Sequence, residues 1–249
     1  MDLPEDREHL LGRRSRRPIP GVKFVAELEG VREVSLTGVA DLDYWRRQLA
    51  PEGLVPLERE GRAQVLVVAA DAKFRGLRFQ EMSFSVLATP ADAQDRQGAF
   101  LVQAFNSRRF FAFCERGGFK TPYGQGQVNM HFGLAGRIRL AAGEDTVVQA
   151  QMREALIDDC TLEDEYGWEG PVYLPTRSRP RQFFACIRGM TLKVPFRPDL
   201  DSFSIARSPR ATVLQQLLDS GYAPFEWQFR PTAYHAKSKT YADDRAIHS

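Results

Sequence analysis

Two residues in this chain could do carbonyl chemistry if the fold kept water away from them. Lys120 sits in CERGGFKTPYGQGQVNMH, residues 114–131, close to Phe110, Phe111, Phe113 and Phe119. An amine buried among those rings would lose its proton more readily, and the free base could attack a ketone to form a Schiff base. Glu81 lies in RFQEMSFSV, where Met82, Phe84 and Val86 form one face of a strand and Phe79, Glu81, Ser83 and Ser85 the other. On a wet face this carboxylate is ordinary; inside a cavity it could orient a substrate or move a proton.

The segment after Lys120 holds further polar candidates. Tyr123 stands in the turn, and in the strand that follows Gln127, Asn129 and His131 share one face while Val128, Met130 and Phe132 share the other. Such a row is either exposed surface or the polar wall of a pocket.

Other chemistries find less support. The four histidines, His9, His131, His235 and His248, are scattered, and no His or Cys pair has zinc spacing, so no metal is expected. GxSxG is absent, and Ser83 and Ser85 fall mid-strand where a nucleophile elbow needs a sharp turn. GQGQ at 124–127 lacks the glycine spacing of a phosphate loop.

The elements that must position these residues are mostly strands. β-Branched or aromatic runs bounded by Gly, Pro, Asp and Asn occur at 22–28, 64–70, 78–87, 99–105, 110–115, 127–132, 136–142, 147–155, 183–194 and 225–229. One helix is expected at 41–49, with Asp41 as N-cap and Leu42, Trp45 and Leu49 on one face; a second is expected at 208–221, capped by Ser208 and ended by Gly221. The expected class is mainly β, an antiparallel closed barrel or double-sheet sandwich with two short helices.

At 249 residues, with 43% hydrophobic and 27% charged residues, the chain can bury a large core as one domain spanning 21–235. Residues 1–20 read as a basic arm carrying Arg13, Arg14, Arg16 and Arg17, and 236–249 as a polar tail. A net charge of +2 gives no field to recruit nucleic acid or an anionic membrane. Cys114, Cys160 and Cys186 suggest reduced thiols, the acidic MDLPEDREHL start does not resemble a signal peptide, and no apolar run is long enough to span a bilayer; a cytoplasmic address is expected.

Several motifs, in order, resemble acetoacetate decarboxylase and its relatives. YWRRQLAPEGLVPLE followed by AQVLVVAA is similar to the family's early helix, proline-bearing turn and strand. Phe79-Gln80-Glu81 resembles its strand with an aromatic, a spacer and a glutamate. Glu115-Arg116-Gly117-Gly118-Phe119-Lys120 resembles the turn leading to its Pro-Lys-Lys signature. The resemblance covers about residues 20 to 235. It implies a closed β fold around a small cavity and decarboxylation of a small keto acid through a lysine imine, without metal or organic cofactor. Lys120 would be the imine-forming amine, Glu81 the proton-handling carboxylate, and Tyr123, Gln127, Asn129 and His131 the substrate-binding groups. The alternative is a relative that binds a small carboxylated or apolar ligand in the same cavity without decarboxylating it. Relatives often assemble, so a homo-oligomer is compatible with either.

The family carries two adjacent lysines, whereas Lys120 stands alone before Thr121-Pro122. Ungapped matching puts Thr121 at the nucleophile's place, matching the prolines puts Tyr123 there, and a one-residue gap puts Lys120 there.

Overall fold

The computed structural model describes residues 24–118, 120–131, 136–152, 160–178 and 181–238. The basic arm at 1–20 lies outside the described residues, as do Phe119 and the tail from 239.

The first strand is longer than expected. β1 runs Phe24–Asp41, because VREVSLTGVA continues the β-branched pattern, and Gly30 (φ +56°) absorbs a register shift against its neighbour. Helix α1 (Leu42–Leu49) follows as expected, with the Asp41 carboxylate accepting the Tyr44 N–H at 2.5 Å and with Trp45 and Leu49 buried. Then come β2 (Leu54–Pro56), β3 (Glu58–Arg59), β4 (Arg62–Phe74), β5 (Leu77–Pro90) and β6 (Gly98–Asn106).

Residues 110–115 are helical where a strand was expected. Helix α2 (Arg109–Gly118) leaves Phe110 and Phe113 exposed and turns Phe111 inward, at 5.3 Å from the Phe79 ring. The aromatic run looks β-like in composition, but its inward and outward sides repeat at helical spacing.

β7 (Tyr123–Gln125), β8 (Gln127–His131), β9 (Arg137–Ala142), β10 (Asp145–Gln151), β11 (Thr161–Tyr173), β12 (Gln182–Pro195) and β13 (Ser202–Ile205) complete the middle of the chain. The expected helix at 208–221 shrinks to a 3₁₀ turn at Thr212–Leu214 and the five-residue α3 (Gln215–Asp219). Ser208 is engaged elsewhere: its hydroxyl donates to Asp145 at 3.1 Å and accepts the Arg210 N–H at 3.2 Å. β14 (Ala223–Ser238) closes the described fold, so the ladder extends three residues past the expected boundary at 235.

The strands form two sheets, in agreement with the mainly β, double-sheet expectation. The larger has the order β2-β5-β4-β1-β14-β12-β11-β6-β7, with β3 on β4; the smaller is β13-β10-β9-β8. Because β6 also pairs with β5, the hydrogen-bonding path of the larger sheet returns on itself, with only two residue pairs joining β6 to β11.

Alternation divides the large sheet into two unlike faces. Val34 and Leu36 of β1, Val65 and Val67 of β4, Met82 and Phe84 of β5 and Trp227 of β14 form the main core with Val128, Ile138 and Leu140 of the small sheet. The opposite face carries Glu33, Ala70, Glu81 and Asn106, which stand directly across from one another along β1, β4, β5 and β6.

Candidate functional site

Opposite residues of an antiparallel pair point to the same side, so the register fixes which groups share this second face. Glu33 stands opposite Arg230, Ser35 opposite Gln228 and Leu28 opposite His235. Lys237, two residues beyond His235, shares its side of β14. Tyr123 stands beside Ala104 in the parallel β6–β7 pair and joins the same face.

Strands β5 and β14 are separated by β4 and β1, which on a flat sheet would hold them about 14 Å apart, three steps of about 4.8 Å. Even so, Phe111 and Glu115, one turn apart on α2, touch Phe79 of β5 and Lys237 of β14. The face must therefore be concave. Helix α2 packs over it, with Phe111 against Phe74 and Phe79 and with Glu115 reaching the polar groups within.

Glu81 is half-buried and held on both oxygens. Tyr123 donates its phenolic proton to Oε1 at 3.1 Å, and Asn106 Nδ2 donates to Oε2 at 3.1 Å. Desolvation raises the Glu81 pKa and the nearby Glu115 charge adds to this; the bonds from Asn106 and Tyr123 and the Lys237 charge oppose without reversing it. Burial, with the Glu81 and Glu115 charges, pushes Tyr123 well above its ordinary value, so the phenol stays neutral and able to donate.

The second carboxylate joins two more elements. Glu115 Oε2 accepts the Thr121 hydroxyl at 3.0 Å and Oε1 accepts Lys237 Nζ at 2.8 Å. Thr121 is buried. The Lys237 ammonium also lies 4.3 Å from the centroid of the Phe183 ring.

A third group lies further along β14. Glu33 is paired with Arg230 through Oε1, and His235 Nε2 lies 2.8 Å from Oε2; Arg230 also donates to Gln228 at 3.1 Å. Burial raises the Glu33 pKa, but the hydrogen bonds and charges of His235 and Arg230 outweigh it and leave the carboxyl below its ordinary value.

The structure brings together only some of the expected site residues. Glu81 and Tyr123 meet directly. Lys120 is exposed, with φ +52°, in the turn that carries the Thr121 N–H back to the Glu115 carbonyl at 3.2 Å, and its own carbonyl accepts from Ser178 at 2.9 Å. Gln127, Asn129 and His131 are exposed on the outer side of β8, because Val128 of the same strand turns into the main core. That row meets solvent and does not join Glu81 and Tyr123 on the concave face.

Sequence reasoning missed Asn106, Lys237 and the Glu33–Arg230–His235 group, and it gave Glu115 and Thr121 no contact with β14. His235 and Lys237 are two apart in PFEWQFRPTAYHAKS, so continuing the strand alternation past 235 would have found the lysine. The motif marks Glu115 but not its partner, because helix α2 has to fold over the sheet before the carboxylate reaches β14.

No family model matches the chain, and no curated protein matches it. Solved structures do. An acetoacetate decarboxylase-like enzyme from Sphingomonas wittichii RW1 superposes with a TM-score of 0.54 at 14% identity, over 87% of this chain and 92% of its own. The acetoacetate decarboxylase of Legionella pneumophila subsp. pneumophila gives 0.55 at 11% identity, over 94% of each chain. The protein has an acetoacetate decarboxylase-like fold. The enduracididine biosynthesis enzyme MppR, solved with the condensation product of pyruvate and imidazole 4-carboxaldehyde, gives 0.55 at 12% identity over 87% of this chain and 88% of its own. The acetoacetate decarboxylase-like fold thus occurs in proteins with different names, and the residues on the concave face must decide what this one does. Among the described residues no helix is long and apolar enough to cross a membrane.

Proposed function

We propose that the concave face binds a small keto acid or related carbonyl compound, that Glu81 handles the proton of the reaction, and that Tyr123 orients the substrate oxygen. The observation that carries this reading is the Glu81 carboxyl, desolvated, raised in pKa and fixed by Tyr123 and Asn106. A carboxyl that keeps its proton to higher pH can serve as acid or base closer to neutrality than an exposed one. The structural neighbours include an acetoacetate decarboxylase and an enzyme solved with a pyruvate condensation product, which supports carbonyl substrates here. The reaction proposed is lyase-type, with an amine of the protein forming an imine that accepts electrons as a carbon–carbon or carbon–hydrogen bond breaks.

The experiment follows acetoacetate by carbon NMR for loss of carbon dioxide, and pyruvate in deuterated water for exchange of its methyl protons. One or both should be turned over, and Glu81→Gln should slow turnover by about 10²–10⁴-fold, the usual contribution of a positioned proton carrier. Retention of the rate within about twofold removes Glu81 from the role.

The exposure of Lys120 favours a second reading, a relative that holds a small carboxylated or apolar ligand without imine chemistry. Binding of either compound with no exchange and no carbon dioxide would select it.

A further inference from the structure

We propose that Lys237, delivered from β14, is the imine-forming amine of this site and that Glu115 of α2 is the base that takes its proton. The inference rests on the reading above and deepens it by naming the amine and its partner.

Three observations converge on Lys237. Its Nζ donates to Glu115 Oε1 at 2.8 Å, and the same carboxylate accepts the Thr121 hydroxyl through Oε2 at 3.0 Å. The amine therefore shares one carboxylate with a buried hydroxyl, and it reaches there from a strand 122 residues later in the chain than Glu115. Second, the Lys237 side chain is 31% exposed and lies over Phe183, so one side of the amine is covered by an aromatic ring while a path from solvent remains. Third, Thr121, bonded to the same Glu115, accepts the Tyr123 N–H at 2.7 Å, and the Tyr123 hydroxyl donates to Glu81, the proton-handling group of the proposed reaction. Lys120 meets none of these conditions.

The step balances with the groups in place. Glu115 accepts a proton from the Lys237 ammonium, and the freed Nζ lone pair forms a bond to the carbonyl carbon while the C=O π pair moves to oxygen. One proton passes from nitrogen to that oxygen, giving a neutral carbinolamine. Glu81 then delivers its proton, the carbon–oxygen bond breaks, water leaves, and the nitrogen lone pair closes the C=N bond. The products are the iminium on Lys237, a protonated Glu115, an ionised Glu81 and one water, so net charge is unchanged and no oxidant or reductant is consumed.

The test is borohydride reduction of the intact protein with pyruvate, followed by peptide mass mapping. A covalent adduct is expected on Lys237, absent in Lys237→Arg and Lys237→Met, and present in Lys120→Met at the wild-type level. Lys237→Arg keeps the ion pair with Glu115 and cannot form the adduct, so its loss of trapping with an unchanged melting temperature separates chemistry from folding. Glu115→Gln should slow trapping at least about tenfold, the lower range for removing a proton acceptor. An adduct on Lys120 or another lysine overturns this inference and leaves the keto acid reading standing. So does pyruvate binding, seen by saturation-transfer NMR, with no adduct in the wild type. Absence of both binding and adduct, for pyruvate and for acetoacetate, overturns the two together.

Discussion

Alternate residues of the same strands build two regions with opposite physics. On β1, Val34 and Leu36 point into a dry core with Phe84 and Trp227, whereas Glu33 and Ser35 point into a concave face with Arg230, Gln228 and, across the sheet, Glu81. The first side removes apolar area from water and holds the two sheets together. The second buries charges, each of which costs free energy unless a partner is in place. Its members answer that cost in two ways. Glu33 is compensated by Arg230 and His235 and is held ionised, while Glu81 is given neutral donors and is pushed toward its protonated form. A fold that needed only stability would not place the second kind of carboxyl there.

The largest expected effect tests the apolar side. Phe84, fully buried and 6.4 Å from the Phe105 ring centroid, should cost about 3–5 kcal/mol when replaced by Ala, measured by urea denaturation. A loss below about 1 kcal/mol would mean that this face is not the main source of stability.

Arg230→Met comes next, because it leaves the Glu33 carboxylate with His235 alone. A loss of about 3 kcal/mol, the lower end for stripping a partner from a buried pair, is expected at neutral pH. The sign with pH follows from the depressed Glu33 pKa. Its stabilisation is present above the unfolded value, about 4.5, and disappears as pH falls through the lower native value, so the gap between wild type and Arg230→Met should narrow in acid. Glu81 has the opposite sign: its raised native pKa makes the ionised form a stability cost at neutral pH, which is relieved as the carboxyl protonates. Glu81→Gln should for this reason melt no lower than wild type at neutral pH. A gap that stays constant for Arg230→Met, or a large destabilisation by Glu81→Gln, would erase the contrast between the two carboxyls.

The smallest effects belong outside both faces. Asn129→Ala and His131→Ala, on the exposed side of β8, should change stability by no more than about 0.5 kcal/mol and leave turnover unaltered. A clear loss of turnover in either would return that row to the site.

Much of the fold could be read in advance. The strand runs at 64–70, 78–87 and 99–105 fall inside β4, β5 and β6, and Asp41 caps α1, because alternation and capping are local. The errors lie where local signals conflict. Phe110, Phe111 and Phe113 have strand-like composition and fold as α2, since packing of Phe111 on Phe79 rewards a helical repeat. The polar end of β14 resembles a tail, yet its backbone pairs with β12 as far as Lys237 and with β1 as far as Ser238.

The same division runs through the site. By itself the sequence determined which face of β5 carries Glu81 and which motifs resemble the family, because each depends on residues close together in the chain. Only the tertiary structure decided that Lys120 stays in water while Lys237 meets Glu115. A lysine's partners are set by what surrounds it, and here they come from curvature of the sheet and from a helix folded across it, at sequence separations that no local pattern encodes.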